Sequence, residues 1–443
     1  MLRNQTMEAY IAILEEELVP AMGCTEPIAI SYASAKLREV LGSLPERIQV
    51  DVSGNIIKNV KSVVVPNTGG LRGIEAAVAA GVVAGIPSKE LEVISDVSQE
   101  QQKEINAYLD AAEIIVTCSD TPRLLDICLK GWTAQHSALV HIVNTHTNIV
   151  RIEKDGIIQL DRSVADSPEE KLQEKAALNV RDIVAFADNV PMSRVQTLLE
   201  RQVRYNNAIA EEGITGDWGA NIGKILLHDF HHDIKNEAKA YAASGSDARM
   251  SGCELPVIIL SGSGNQGITA TLPIVRYAKY LGVSEEKMYR ALLVSDLVTI
   301  HQKTGIGRLS AFCGAVCAGC GAGAGIAYLY GGGYEAVAGT VLNALGIISG
   351  TICDGAKASC AAKIAAAVES GILGYHMYLN HRNFRDGEGI ISSDVDRTIQ
   401  NVGVLAKVGM QETDHVILQI MTQQVEQTQK RVEFLDNSPS RCI

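Results

Sequence analysis

The sequence has too few basic residues for a nucleic-acid-binding surface. It contains 39 Lys and Arg against 51 Asp and Glu, which gives a formal net charge of −12. Proteins that bind nucleic acids or anionic membranes concentrate Lys and Arg where they make contact, so we expect neither partner. A small soluble molecule is the expected partner, and a homodimer is the default expectation for a soluble protein of this size.

Targeting and membrane signals are also lacking. Residues 1–15 contain no apolar core between a basic flank and a small-residue cleavage site, so we expect no secretory signal and a cytoplasmic protein. No residue between Arg308 and Glu335 is charged, and a run of this length could cross a bilayer. Its residues are mainly Gly, Ala, Ser and Cys, which gain little from transfer into lipid. We therefore predict that residues 309–329 form a close-packed helix buried in protein.

The hydrophobic pattern changes along the chain and predicts an α+β fold. Helical spacing occurs at residues 4–18, 25–40 and 71–85, and alternating β-branched residues indicate strands at 47–66, 113–117 and 138–160. Beyond a charged stretch at 161–175, helical patterns dominate and strand signals nearly vanish. We predict an N-terminal α+β domain with a small sheet over residues 1–165, followed by a mostly helical domain over 166–443.

The sequence contains ten cysteines, and these are not expected to form disulfides in a reducing compartment. Cys118, Cys128 and Cys253 stand alone in the sequence and are predicted to be small buried side chains. Cys313, Cys317 and Cys320 have the C-x3-C-x2-C spacing of radical enzymes. That motif lacks its usual aromatic residue here and falls in a helical pattern, so a packed seam on one helix face is the preferred interpretation.

Cys353 and Cys360 lie in a glycine-bearing run that can bend two thiolates toward one point, and thiolates are the usual ligands of iron–sulfur clusters. Asp354 and Lys357 lie between them in an otherwise apolar segment, and such charges need partners. Two buried cysteines at a helix start remain the alternative interpretation of this segment.

The loop Gly-Cys-Thr-Glu-Pro at residues 23–27 lies between two predicted helices. Cys24 and Thr25 are therefore expected near a helix N-terminus, whose partial positive charge lowers a thiol pKa and attracts carboxylates. A simple N-cap role for Thr25 remains the alternative.

A second loop, residues 261–269, follows an apolar run and precedes a helix. It presents backbone N–H groups and hydroxyls but has neither the P-loop lysine nor the dinucleotide fingerprint, so a bound carboxylate is expected. Upstream, Arg249 could clamp that carboxylate with two hydrogen bonds. A tight structural turn and a salt bridge from Arg249 to Asp247 are the alternatives. His146 and His301 are candidate acids or bases, with structural roles left open.

These segments together resemble the L-cysteine desulfidases of the serine dehydratase alpha-chain type. The resemblance spans about residues 8 to 425. It rests on the 23–27 loop, Ser-Asp-Ala-Arg-Met at 246–250, the 261–269 loop, Arg-Leu-Ser-Ala at 308–311 before Cys313, and Cys-Asp-Gly at 353–355 before Cys360.

The resemblance implies an oxygen-sensitive [4Fe–4S] cluster instead of pyridoxal phosphate, with Cys313, Cys353 and Cys360 as its metal ligands. It implies β-elimination of L-cysteine to sulfide, ammonia and pyruvate, with one iron left open to act as a Lewis acid. Cys24 would be the base or a transient fourth ligand. The implied site is completed by the residues that flank these groups in the motifs: Thr25 and Glu26 as catalytic residues, and Ser261, Ser263, Asn265, Gln266 and Arg249 as substrate-binding residues.

Three questions stay open at this stage. L-Serine differs from L-cysteine by one atom, so an L-serine dehydratase on the same scaffold is the first alternative. A non-enzymatic iron–sulfur redox sensor is the second. Cys442, next to the C-terminus, could reach the open iron or belong to an inert end.

Overall fold

The computed structural model describes residues 3–162, 175–307 and 309–421, and within them the chain is a mixed α+β protein, as predicted. The helices are α1 (Asn4–Glu17), α2 (Thr25–Leu41), α3 (Gly54–Val60), α4 (Gly73–Ala84), α5 (Gln99–Ala111), α6 (Val180–Asn189), α7 (Gln196–Thr215), α8 (Ile222–Asp229), α9 (Ile234–Met250), α10 (Gly264–Leu281), α11 (Glu285–Ile306), α12 (Gly314–Leu329), α13 (Tyr334–Ile348), α14 (Ser359–Leu379), α15 (Val395–Val404) and α16 (Gln411–Met421). Short 3₁₀ segments at Pro87–Glu92 and Met192–Arg194 and a π-helical turn at Leu405–Gly409 connect them.

The strands are β1 (Pro20–Met22), β2 (Arg47–Val52), β3 (Glu113–Cys118), β4 (Asp126–Trp132), β5 (Ser137–Val143), β6 (Ile149–Lys154), β7 (Ile157–Asp161) and β8 (Pro256–Ile258). Six of them form one sheet in the order β3-β2-β4-β5-β6-β7, in which only β2 and β3 run parallel. Ile48, Val50 and Val52 alternate with polar residues and are fully buried, because one face of the sheet packs against α2.

A second, two-stranded sheet joins the two predicted domains, since one of its strands comes from each. β1 pairs antiparallel with β8, so Ala21 lies opposite Val257. The loop after β1 is thereby held next to the loop after β8, where the Thr25 hydroxyl donates a hydrogen bond to the Gly262 carbonyl at 3.0 Å. The domain boundary near residue 165 remains a prediction, since residues 163–174 lie outside the described residues.

Helix α12 lies at the centre of the helical region, in contact with α10, α11, α13 and α14. Cys317 and Cys320 are fully buried on it, as the packed-seam interpretation requires. Gly321 allows α11 to approach closely, because a Cβ at this position would lie 2.5 Å from the Ser295 carbonyl oxygen. The prediction of a buried helix within residues 309–329 is confirmed. No helix of the described residues has both the length and the apolar character of a bilayer span.

Two element predictions were wrong. The strand expected over residues 47–66 ends at Val52, and α3 follows after Ser53. Ile56 and Val60 lie four residues apart and are both buried, which is helical spacing that the β-branched composition obscured. The helical pattern of residues 394–429 predicts one long helix, but its described part is divided into α15 and α16 by the π-helical turn.

Candidate active site

Four helix N-termini surround one cavity of about 100 Å³. Cys24 is the N-cap of α2, Ser263 of α10 and Cys313 of α12, while Cys360 lies in the first turn of α14. Each helix start presents N–H groups without intrahelical partners and carries partial positive charge. The cavity is therefore suited to anions, although the chain as a whole has a net charge of −12.

A short backbone pairing aligns two of the cysteines. Phe312 and Ile352 form an antiparallel bridge; Cys313 N donates to Thr351 O at 3.0 Å and Cys353 N donates to Ala311 O at 2.6 Å. Cys313 and Cys353 therefore stand on the same face of the ribbon in diagonal positions, which are roughly 7–8 Å apart in such pairings.

A glycine turn brings the third cysteine, Cys360, to the cavity. Cys313, Cys353 and Cys360 are called the cysteine wall of the cavity. Gly355 has φ +94°, and a Cβ there would lie 2.2 Å from the Lys58 carbonyl oxygen, so no other residue fits without a backbone shift. The Cys360 thiol donates to the Gly355 carbonyl at 3.7 Å. The turn thus places Cys360 with Cys313 and Cys353 among the residues that line the cavity.

The charges expected to need partners find each other. Asp354 pairs with Lys357 at 2.6 Å and with Lys363 at 2.5 Å. Burial raises the pKa of the Asp354 carboxyl, but hydrogen bonds and charge from these two lysines outweigh it and lower the pKa to about 2. Lys363 also interacts electrostatically with Cys313 and Cys360, so the ion network holds positive charge beside the thiols.

The three thiols fit an iron–sulfur cluster better than a single metal ion. Burial, followed by the interaction with Cys353, raises the pKa of Cys313 to about 12, and burial likewise raises the pKa of Cys360. Among the described residues, no group of three His, Cys, Asp or Glu could hold one metal ion. In a four-iron cluster each thiolate binds a different iron, so the wider diagonal spacing and the all-thiol donor set both fit.

Glu26 is the centre of a buried hydrogen-bond group that also lines the cavity. Its Oε2 accepts from the Cys24 thiol at 3.0 Å and from the Thr25 hydroxyl at 3.1 Å, and its Oε1 accepts from the Asn59 amide at 3.1 Å. His146 Nε2 stands 3.9 Å from Oε1. Burial raises the pKa of Glu26, but His146 and the Cys24 thiol lower it to about 2.

The expected lowering of the Cys24 pKa was wrong. Burial raises the pKa of this thiol, and the neighbouring Glu26 carboxylate raises it further, against an opposing effect of Arg249. The alternative of Thr25 as a simple N-cap was also wrong, because Cys24 occupies that position and the Thr25 hydroxyl bonds to Glu26 and Gly262. Cys24 is thus a neutral thiol that donates to a carboxylate.

Arg249 enters the cavity from the last turn of α9. It is 2% exposed, its Nη1 donates to Asn265 Oδ1 at 3.0 Å, and its Nε has no hydrogen-bond partner among the described residues. The alternative salt bridge to Asp247 is not formed, since Asp247 accepts backbone N–H groups of residues 220 and 223. No described carboxylate lies within ion-pair distance of this buried cation, and Arg249 lines the cavity, so its charge is left to a ligand there.

The 261–269 loop contributes three of its four candidates to the cavity. Ser263, Asn265 and Gln266 line it, whereas Ser261 is buried but does not. Ser261 has φ +49° and Gly262 φ +79°, so the loop is a strained turn that starts α10 next to Arg249. The turn interpretation therefore describes residues 261 and 262, and the bound carboxylate stays a prediction.

The two candidate histidines lie in different surroundings. His301 Nε2 pairs with Asp396 at 2.8 Å and does not line the cavity, whereas His146 neighbours Glu26. Some cavity residues were not predicted from the sequence. Asn59 was expected in a strand, and the apolar side chains of Met250 and Phe312 carry no chemical signal. Arg308 and Cys442 lie outside the described residues.

Comparison with known proteins places related sequences along almost the whole chain. The profile of the family described as "Serine dehydratase alpha chain" matches residues 88–419, which include Cys313, Cys353 and Cys360 but not Cys24. A protein named "UPF0597 protein" from Desulfitobacterium hafniense (strain Y51) is 55% identical over 422 residues, 95% of this chain and 98% of its own. Proteins of the same name from Lachnoclostridium phytofermentans (49% over 411 residues; 93% and 98% of the two chains) and Aeromonas salmonicida (39% over 433; 95% and 98%) are also similar.

Proposed function

Because this chain belongs to the serine dehydratase alpha-chain family, we propose that it is an iron–sulfur-dependent lyase that converts L-cysteine and water to pyruvate, ammonia and sulfide. The observation that carries the proposal is the convergence of Cys313, Cys353 and Cys360 on one cavity that also contains Arg249 and Cys24. Three thiols, an available guanidinium and a proton-transferring group are the parts that such an elimination needs.

The substrate carboxylate binds between Arg249 and the start of α10. Arg249 lines the cavity without a described carboxylate partner and offers a charge-assisted hydrogen bond from its guanidinium, and Ser263 stands at a helix N-terminus, which favours an anion. Gly264 is required here, because a Cβ on it would lie 2.3 Å from Arg249 Nε. This arrangement fixes one end of the amino acid and directs its side chain toward the cysteine wall.

Cys313, Cys353 and Cys360 would hold a [4Fe–4S] cluster. When bound, the cluster supplies a Lewis-acidic iron with an open position for the departing sulfur. Burial raises the pKa of the Cys313 and Cys360 thiols, so loading requires their deprotonation, and Lys363 favours the resulting thiolates.

Cys24 would move the proton at the substrate α-carbon. Its thiol is neutral, so Sγ first transfers its proton to Glu26 Oε2, 3.0 Å away, and the thiolate then accepts the α-proton. The Thr25 hydroxyl and the Asn59 amide hold the carboxylate in place for this transfer. General acid–base groups of this kind typically contribute about 10²–10⁴-fold to rate.

The apolar lining favours a thiol substituent. Met250, Phe312 and Ile364 line the cavity on the cysteine side, and a thiol is less costly to desolvate there than a hydroxyl. An apolar pocket cannot strongly reject an isostere that carries a hydroxyl, so we expect a preference for L-cysteine of roughly 10²-fold at most. L-Serine is therefore the second candidate substrate, and the family description favours it.

The test is anaerobic purification followed by iron and sulfide analysis, an absorption spectrum, and kcat/KM measured on L-cysteine, L-serine and L-threonine. Replacing Cys313, Cys353 or Cys360 by alanine should abolish iron retention. Cys317→Ala and Cys320→Ala are matched controls, since both side chains are fully buried and neither lines the cavity. A colourless wild-type protein without iron, or equal iron loss in the controls, would contradict the proposal. A higher kcat/KM on L-serine would select the second candidate.

A further inference from the structure

Glu26 cannot be the final acceptor of the Cys24 proton. Its carboxylate already accepts hydrogen bonds from Cys24, Thr25 and Asn59, and donors of this kind favour the charged form, so an added proton is held weakly. Asn59 and Thr25 both donate to it and cannot accept a second proton from it. A further group must therefore take the proton on.

His146 is in position to do so. It is 3% exposed, and its Nε2 faces Glu26 Oε1 at 3.9 Å without a hydrogen-bond partner among the described residues. The gap is about 1 Å longer than a hydrogen bond, which a small side-chain rotation or one water can close. Asn144, with φ +66°, starts the turn between β5 and β6 that directs His146 inward.

His146 also lines a second cavity, of about 940 Å³, whose lining residues include neither Cys24 nor Glu26. This cavity is polar and rich in carboxylates; its charged lining residues are Glu16, Glu17, Lys89, Glu90, Glu92 and Arg162. Lys175 pairs with Glu16 at 2.9 Å and also with Glu17. Four carboxylates against two cations in the lining attract protons.

We propose that His146 is a positioning and proton-transferring residue that connects the Cys24–Glu26 pair to this second cavity, which serves as the proton outlet of the site. The Sγ–H bond of Cys24 breaks as an O–H bond forms on Glu26. After rotation of the carboxyl group, that bond breaks as an N–H bond forms on His146 Nε2. The imidazolium then releases a proton through its other ring nitrogen to water in the second cavity.

This inference rests on the proposed elimination, and its kinetic test uses the anaerobically prepared holoenzyme. His146→Gln should lower kcat about 10²-fold while KM and iron content stay within threefold of wild type. Imidazole added to His146→Ala should restore activity, because the second cavity admits it, whereas His146→Gln should not respond. His136→Gln, an exposed residue just before β5, is the matched control and should behave as wild type.

A kcat within threefold of wild type for His146→Gln, or a loss confined to KM, would overturn the relay. Failure of the relay differs from failure of the proposed function, which would leave wild type itself without turnover. A second measurement needs no turnover: peptide-resolved alkylation of Cys24. Without His146 the Glu26 charge is less compensated, so Cys24 should alkylate roughly tenfold more slowly in His146→Gln. Equal rates in His146→Gln and wild type would also overturn the proposal.

Discussion

Replacing Arg249 by methionine should weaken substrate binding and leave the fold about as stable as before. Breaking a buried ion pair by removing one partner costs about 3–5 kcal/mol, because an uncompensated charge remains. Arg249 has no described carboxylate partner, so its removal leaves no such charge behind. The Arg249 side chain is 2% exposed, and methionine fills a similar volume without a charge to desolvate.

The magnitudes follow from the contacts. The lost bond to Asn265 is worth about 1.5–3 kcal/mol and the favourable position at the C-terminus of α9 about 0.3–1 kcal/mol. Relief of the unpartnered Nε returns about 1–3 kcal/mol, so the middle values of these ranges give a net loss of unfolding free energy of about 1 kcal/mol. Binding loses charge-assisted hydrogen bonds worth roughly 3 kcal/mol, which corresponds to about a 100-fold higher KM.

The assay combines urea unfolding with steady-state kinetics on the anaerobic enzyme. Arg276→Met is the matched control, since Arg276 is a buried arginine of α10 paired with Glu237. It should destabilise the protein more than Arg249→Met and leave KM unchanged. If Arg249→Met instead destabilises by 3–5 kcal/mol with an unchanged KM, Arg249 is a structural residue and the reasoning is refuted.

Two further outcomes are expected. Gly355→Ala should lower the unfolding free energy by about 2 kcal/mol or more and reduce iron retention, because it combines a strained φ with a clash at the Lys58 carbonyl. The control Gly350→Ala, with φ +128° and open space around its Cβ, should retain iron. Equal loss of iron in the two variants would contradict this prediction. Burial raises the pKa of Asp296 to about 7, so its stabilising contribution, present below about pH 4, is lost as pH rises to 7. Urea unfolding of Asp296→Asn should therefore show a weaker loss of stability between pH 5 and pH 8 than wild type, and an equal or steeper loss would contradict the assignment.

The fold class could be predicted because hydrophobic period is a local property. The helices that became α1, α2 and α4 and the strands β2, β3, β5, β6 and β7 have clear patterns in their own residues, whereas β4 was not predicted. Helix α3 was missed because its β-branched residues also suit a strand, and only packing decides between them. Asn59, which bonds to Glu26, was missed with it.

The candidate site could be predicted in its residue types and only partly in its electrostatics. Motifs identified Cys24, Arg249 and the cysteine wall, but the pairing of residues 311–313 with 351–353 joins segments about 40 positions apart and has no local signal. The position of Cys24 at a helix N-terminus predicted a lowered pKa, whereas its pKa is raised. Burial and the adjacent Glu26 carboxylate oppose the helix, and neither can be read from the loop sequence alone.

The field inside the cavity is set by local groups and not by the net charge. Charges on the surface are screened over about 8–10 Å at physiological ionic strength, whereas the four helix starts, Arg249 and Lys363 act within the site. An acidic chain can therefore form a cavity that is suited to anions. Among the described lining residues the only carboxylate is that of Glu26, and both of its oxygens accept hydrogen bonds. In the proposed elimination, this local compensation of the Glu26 charge would let one cavity bind a substrate carboxylate beside a proton-transferring carboxylate.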